Sequence, residues 1–208
     1  MRAGRDLLPP PLATKSKKET VMETSEAGTQ YGNNREYSSR GFSLIELLIV
    51  VAIILIVAAI AVPNLMRSRM SANQASAVAN LRTITTASVS YWVTYANGYP
   101  PSLQAIGGLG PGATCDAAVL VDVSITTAPN QKSGYQYAYT GTQGSVTNSP
   151  ANCGQPGFNG YLVTATPVTV GSTGNISYCS DEPGVIHFDT SAVTPADEAA
   201  CEKLSTLQ

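Results

Sequence analysis

The sequence predicts an α+β fold in which one long N-terminal helix, membrane-spanning and then amphipathic, packs on a small antiparallel sheet. Three observations predict this fold. Residues 42–66 form an apolar stretch with a single charge, residues 77–95 carry a stripe at helical spacing, and the segments after residue 134 are strand-forming and separated by turns. We therefore divide the chain into a leader (1–41), a membrane helix (42–66) and a head (67–208).

The leader, residues 1–41, carries Pro9-Pro10-Pro11 and a polar run at 15–20 with almost no apolar clustering, so it cannot bury a core. Its seven basic and five acidic side chains give a small positive balance, which the positive-inside rule places on the cytoplasmic side of a membrane helix. A start at Met22 would shorten the leader to 20 residues. In either case we expect it to be absent from the finished protein.

The apolar stretch at 42–66 is long enough to cross a bilayer. As a helix its 25 residues would extend about 37 Å, against a hydrocarbon core of about 30 Å. Its one charge, Glu46, is costly there, by about 3 kcal/mol on insertion scales, and therefore indicates a function. A cut between Gly41 and Phe42 would place a free ammonium one helical turn before Glu46, on the same face.

The motif Arg-Gly-Phe-Ser-Leu-Ile-Glu at 40–46, followed by a long apolar helix, resembles the prepilin motif of type IV pilins and type II secretion pseudopilins. The resemblance implies the type IV pilin fold. It also implies that prepilin peptidase, a membrane aspartyl peptidase, cleaves after Gly41 and methylates Phe42. Glu46 would then pair with the amino terminus of a neighbouring subunit and set the assembly register. Pro63 matches the family's helix-kinking proline, so a kink or local melting is expected there.

Two simpler interpretations of this segment are less favoured. A plain signal anchor leaves Glu46 unexplained. A cleaved secretory signal would use Ala59-Ile60-Ala61 as a small-x-small site, but the apolar region of such signals usually runs 7 to 15 residues. The stretch here is longer and contains an acid.

The head begins with an amphipathic helix at 67–96. Its inner stripe steps by three and four residues, and Arg67 and Arg69 follow the apolar run, where they can extend to the membrane surface or form charges between subunits. Asn97-Gly98-Tyr99-Pro100-Pro101 should end the helix near Ala96, with Gly98 in the left-handed cap. The stripe residues are Ala77, Leu81, Ile84, Ser88, Tyr91 and Tyr95.

After the helix we expect a Gly-rich loop at 97–133, a sheet at 134–190 and a C-terminal tail at 191–208. The loop includes a short helix or strand around 115–125. The sheet is predicted as a four-stranded meander, with strands at 135–139, 161–166, 175–179 and 185–189. One face should cover the helix stripe, because so small a sheet is unstable alone. The period-two tyrosines at 135, 137 and 139 are predicted to pack on the helix rather than to form an exposed ladder.

The cysteines Cys115, Cys153, Cys179 and Cys201 all fall in the part expected outside the cytoplasm, where disulfides form. Four cysteines allow three pairings, and spacing alone does not choose among them. We expect Cys115 to pair with Cys153 and Cys179 with Cys201, because the second bond would tie the tail back onto the sheet.

The sequence offers few metal or cofactor ligands. No cysteine pair is spaced Cys-x-x-Cys and His187 is the only histidine, so zinc is not expected. Asp181, Glu182 and Asp189 flank a hairpin and are weak calcium candidates, because the resembled pseudopilins bind calcium in their sheet region. Three acids do not complete a calcium shell. No cofactor is therefore expected.

The charge balance argues against a nucleic-acid protein. The side chains of residues 42–208 sum to −4, whereas nucleic-acid binding depends on Lys and Arg neutralising phosphates. His187 has no Ser or Cys motif to pair with and the chain has no G-x-S-x-G, so we expect no enzyme.

Two function classes remain: a structural filament subunit, and a monomeric anchored module with enzymatic or binding activity. Glu46 and the long helix favour the filament, because an anchor needs neither. The resemblance implies a type IV pilus subunit, with a major pseudopilin of type II secretion as the alternative. Implied partners are further copies of the chain, prepilin peptidase, an inner-membrane assembly platform and the membrane before assembly. The implied location is an inner-membrane single-pass precursor, then an extracellular pilus or a periplasmic pseudopilus. The filament's task, whether adhesion, twitching, DNA uptake, secretion or electron transfer, stays open.

Overall fold

A computed structural model describes residues 41–108 and 112–207. The predictions for the leader therefore lie outside the described residues, except at Gly41. The elements, in chain order, are α1 (Leu44–Tyr95), α2 (Leu103–Ile106), α3 (Val123–Thr126), β1 (Gln131–Lys132), β2 (Tyr135–Ser145), β3 (Phe158–Pro167), β4 (Ser177–Ser180), β5 (Ile186–Asp189), α4 (Glu198–Glu202) and β6 (Ser205–Thr206).

The N-terminal element is one continuous helix of 52 residues. It ends at Tyr95, as predicted, but the residue that first turns left-handed is Ala96, with a φ of 51°, rather than Gly98, which follows with a φ of 72°. The side chain of Asn97 explains the early turn. It is buried and donates to the Gln155 carbonyl at 3.0 Å, which draws the chain inward immediately after the helix.

The buried face of α1 coincides with the predicted stripe. Five of its six residues are buried and Tyr95 is half-buried at the edge, while Ala87 joins the buried set. Leu81 and Ile84 have no exposed surface and pack into the same core as the strands. Burial of a Leu or Ile side chain contributes about 1.5–3 kcal/mol, so this face carries much of the attachment of helix to sheet.

The sheet is an antiparallel meander of six strands in sequence order. The four predicted strands are confirmed as its centre, and the count of four is wrong because two edge strands were missed. The edge strands β1 and β6 lie in the segments predicted as loop and tail, and each contains two residues. A strand of two residues is too short to show an alternation of apolar and polar residues, so the sequence does not reveal it.

The two faces of the sheet are covered by different elements. The inner face contributes Tyr161 and Val163 to the core shared with α1. The outer face carries Leu162 and Cys179, which pack with Cys201 of α4. The sheet is therefore the middle of three layers, although the outer layer is a single short helix.

The tyrosines of β2 are packed rather than displayed. Tyr135 and Tyr137 are 0% and 2% exposed, and the Tyr137 hydroxyl accepts a hydrogen bond from the Asn80 amide of α1 at 2.8 Å. Tyr139 is half-buried and stacks on Tyr161 with ring centroids 5.4 Å apart. An exposed aromatic ladder on this strand is therefore contradicted.

The segment between helix and sheet contains two four-residue helices. The second, α3, overlaps the end of the stretch around 115–125 that was predicted to hold a short element. Asp122 caps it by accepting from the Ser124 amide at 2.8 Å and also bonds Lys132 at 3.1 Å. The Ser124 hydrogen bonds, aided by Lys132, lower the pKa of Asp122 to about 2.

Candidate functional site

The predicted cleavage junction is accessible and lies outside regular structure. Gly41 and Phe42 are exposed, α1 begins at Leu44, and Phe42 shows 78% of its surface. Among the described residues, and leaving aside its chain neighbours, no atom comes within 4 Å of the position that a Cβ on Gly41 would occupy. The fold itself therefore does not require glycine at 41, and the need for a small residue must come from whatever recognises the junction.

Glu46 lies in the first turn of α1 and is exposed. A carboxylate there interacts favourably with the positive end of the helix dipole. Phe42 and Ser43 precede the first helical residue in the uncleaved chain. In the uncleaved chain, Phe42 therefore does not lie on the helix one turn before Glu46. The expected position of a free ammonium there depends on the new terminus that cleavage would create.

The apolar half of α1 has no cover from the rest of the described chain. Every residue from 44 to 66 is exposed except Ala58, which is half-buried. The helix is long and apolar enough to cross a membrane, and none of its most apolar window, with a mean hydropathy of 3.3, is buried. So much exposed apolar surface indicates a membrane or another chain as its environment.

Pro63 lies inside α1, and the helix continues through it, so the expected local melting is not seen. Proline lacks the N–H that would bond the Ala59 carbonyl. The neighbouring Asn64 side chain donates to the Ile60 carbonyl at 3.2 Å. Arg67 and Arg69 follow on the exposed surface, where their aliphatic stems can lie along apolar surroundings while the charges reach water.

The four cysteines form the two expected pairs. Cys115 bonds Cys153 with Cα atoms 5.4 Å apart, and Cys179 bonds Cys201 at 6.1 Å. The first bond ties the segment after α2 to the loop between β2 and β3. The second holds α4 on the outer face of the sheet.

The calcium candidates are not brought together as a metal shell. Asp189, at the end of β5, accepts from the Ser191 amide at 2.8 Å, whereas Asp181 is 1% exposed and both its oxygens lack a partner within the described chain. Within residues 41–108 and 112–207, no group of three or more His, Cys, Asp and Glu side chains is arranged to hold a metal ion. His187 is buried in β5, with Nδ1 3.1 Å from the Leu204 carbonyl.

The structure reveals an acidic surface that the sequence analysis missed. Asp181 and Glu182 lie close enough to Glu198 and Glu202 for these charges to raise the pKa of both residues, although burial is the larger cause. Glu182 also contacts Gln143, and Glu198 contacts Thr142. The predicted pairing of Cys179 with Cys201 was the sequence signal that could have revealed this acidic surface, because the bond brings α4 to the sheet.

Together these features define a class of protein: a folded head at the end of a long helix, whose first half is apolar and uncovered and begins beside an accessible Gly-Phe junction. Comparison with known proteins agrees. Residues 37–62 match the family model described as the prokaryotic N-terminal methylation motif.

Two curated relatives carry the comparison further. The chain is 50% identical over 54 residues to the type IV major pilin protein PilA of Myxococcus xanthus, covering 26% of this chain and 24% of that protein. It is 39% identical over 77 residues to the type IV wide pilus major component PilA4 of Thermus thermophilus, covering 37% of this chain and 58% of that protein. The chain thus matches about a quarter of the length of the first relative and somewhat over half of the length of the second. No solved structure gives a significant match.

The motif and both relatives support a type IV pilin, and the α+β architecture is consistent with the pilin fold. Both relatives are named as pilus components. The alternative of a type II secretion pseudopilin is not favoured.

Proposed function

We propose that this chain is the precursor of a structural subunit of a type IV pilus. Prepilin peptidase cuts between Gly41 and Phe42 and methylates Phe42, and the processed chain, residues 42–208, polymerises through the apolar half of α1. The observation that carries the proposal is the helix at 44–66, which is uncovered along its length and overlaps the methylation motif at 37–62.

The exposed helix requires two successive environments. Before assembly the bilayer covers it, because apolar surface of this size is unstable in water. In the filament, copies of the same helix take the place of lipid. The subunit therefore begins as a single-pass membrane precursor in the inner membrane and ends in an extracellular pilus, with an assembly platform extracting it.

Glu46 gives the helices a register. Its carboxylate is exposed on an otherwise apolar helix end, and an ammonium at Phe42 of a neighbouring copy is its natural partner. An ion pair in low dielectric is stronger than in water, and a buried charge without a partner is strongly destabilising. Arrangements that pair the two groups are therefore favoured over those that do not. The function is structural, with no catalytic step.

Intact-mass analysis of filaments sheared from the native host tests the proposal. We expect the sheared fraction to contain a chain of residues 42–208 carrying one methyl group, with electron micrographs showing filaments in the same fraction. A mature mass that includes residues 1–41, or a fraction without filaments, would overturn it.

A further inference from the structure

The head half of α1 presents a second uncovered face. Arg82, Thr86, Val89 and Val93 are spaced by four, three and four residues, so they lie on one side of the helix. All four are exposed, and Val93 shows 79% of its surface. We call these four residues the outer face of α1. A groove of about 360 Å³ runs beside it, lined by Arg82, Thr83, Thr86, Ala87, Ser90 and Leu120.

Arg82 is a cation without an ion pair in the described part of the chain. Of the other basic residues of the head beyond residue 70, Lys132 bonds Asp122 at 3.1 Å, whereas Lys203, like Arg82, forms no ion pair within the described residues. No carboxylate in the described residues lies within 4 Å of the Arg82 guanidinium. The groove therefore offers one positive charge among hydroxyl and apolar groups, and a negatively charged occupant would complement it.

The same head carries an excess of negative charge elsewhere. The solvent-accessible members of the acidic surface are Glu182 and, on α4, Glu198 and Glu202, and the charges of Glu198 and Glu202 add to burial in raising the pKa of Glu182. Glu182 and Glu198 contact Gln143 and Thr142, while Glu202 is exposed. Of these three carboxylates, Glu202 is thus the best placed to reach another molecule.

We propose that the outer face of α1 receives the acidic surface of a second copy of this chain, with Arg82 of one copy against Glu202 of the next. The inference rests on the proposed function and names the contact between heads. Two observations favour a second copy as the occupant. The outer face continues along the same helix as the uncovered apolar half, which the proposed function places against neighbouring copies, and Arg82 and the exposed Glu202 carry opposite charges.

The geometry of such a contact suits a filament. The two surfaces are different parts of one chain, so their association is heterologous, and heterologous contacts that do not close generate open helical polymers. Charge complementarity across the contact would select the orientation of the incoming head.

Charge reversal tests the contact in the full-length chain expressed in its native host. Arg82→Glu places a carboxylate against Glu202, and Glu202→Arg places two cations together, so each variant should reduce sheared filaments by about tenfold or more. The chain that carries both substitutions should recover most of the wild-type yield, because the pair is restored with its signs exchanged. Lys203→Glu is the matched control, since it changes the charge by the same amount beside the acidic surface and should keep filaments.

Processed monomer in the membrane, measured for each variant by immunoblot and intact mass, separates assembly from folding. Should Arg82→Glu monomer fail to accumulate, Arg82→Gln, which adds no repulsive charge, should show a smaller loss of filaments with normal monomer. Wild-type yields from Arg82→Glu, or no recovery in the double variant, would overturn the contact while leaving the proposed function intact. Failure of the proposed function would appear instead as a wild-type chain without filaments.

Discussion

Gly41 illustrates how a single residue can be required by a partner and not by the fold. A Cβ at 41 would meet no atom of the described residues beyond its chain neighbours, and the residue precedes α1. We therefore expect Gly41→Val to leave the head folded and to block cleavage, so that the mass from native membranes includes residues 1–41. Gly112→Val, at another glycine whose Cβ would come within 4 Å of no described residue beyond its chain neighbours, is the control and should be processed normally. Efficient cleavage of Gly41→Val would show that the junction has been placed wrongly.

Asp181 is a buried acid whose ionisation should oppose folding. Burial, and to a lesser degree the Glu202 charge, raises its pKa above the ordinary value of 3.8. The unfolded chain then loses its proton first, so stability falls as pH rises from about 3.8 through the folded-state pKa. The asparagine in Asp181→Asn cannot ionise, so this loss of stability should not occur in the variant. The variant should match wild type at pH 3 and be more stable than wild type at pH 7, measured by unfolding in detergent.

The same variant bears on the calcium hypothesis from the sequence, which stays a prediction. If a cation neutralises Asp181, the order reverses: Asp181→Asn becomes less stable than wild type at pH 7, and a calcium chelator lowers the wild-type unfolding temperature. A stabilised variant and no effect of chelator would contradict calcium at this carboxylate.

At the scale of elements, the buried stripe of α1 holds the helix to the sheet. Leu81 has no exposed surface, so Leu81→Ala should lower the free energy of unfolding of the head by about 2–5 kcal/mol. Val93→Ala, on the outer face of the same helix, is the matched control and should change it by less than about 0.5 kcal/mol. Equal losses from both variants, in thermal or denaturant unfolding, would contradict the assignment of inner and outer faces.

The Cys179–Cys201 bond attaches α4 and β6 to the outer face of the sheet. It closes a loop with a sequence separation of 22, so replacing both cysteines by alanine should cost roughly 3 kcal/mol in the chain-entropy model. Hydrogen exchange should accelerate most at the amides of the tail, such as Leu207, which bonds the Ile186 carbonyl. Non-reducing peptide mapping that links Cys115 to Cys179 or Cys201 would contradict this arrangement.

The elements that could be predicted are those whose sequence carries a local signal. The α1 stripe and β2 follow from spacings of 3.6 and two residues, and the other three central strands follow from β-forming residues and the turns between them. The edge strands β1 and β6 could not be predicted, because two polar residues have no period and their pairing is set by the chain around them. The acidic surface was missed for a related reason: Glu198 and Glu202 reach Asp181 only after the disulfide folds the tail back.

At the scale of the whole molecule, the chain separates folding from assembly. Along a straight helix Glu46 lies about 67 Å from Tyr91, and the buried core begins at Ala77. The Gly-Phe junction and Glu46 could be predicted because their chemistry is local in sequence. The complementarity between the outer face of α1 and the acidic surface could not be predicted, because that surface forms only when the tail folds back onto the sheet.

The most direct test of the account is the fate of Glu46→Ala in the native host. Removing the charge should ease membrane insertion by about 3 kcal/mol and leave the head folded, while the attraction to a neighbour's amino terminus is lost. Leu47→Ala, at the next position of the same exposed helix, is the control. We expect processed Glu46→Ala monomer to accumulate in the membrane while surface filaments disappear from electron micrographs. Abundant normal filaments from Glu46→Ala would contradict the assembly role of Glu46.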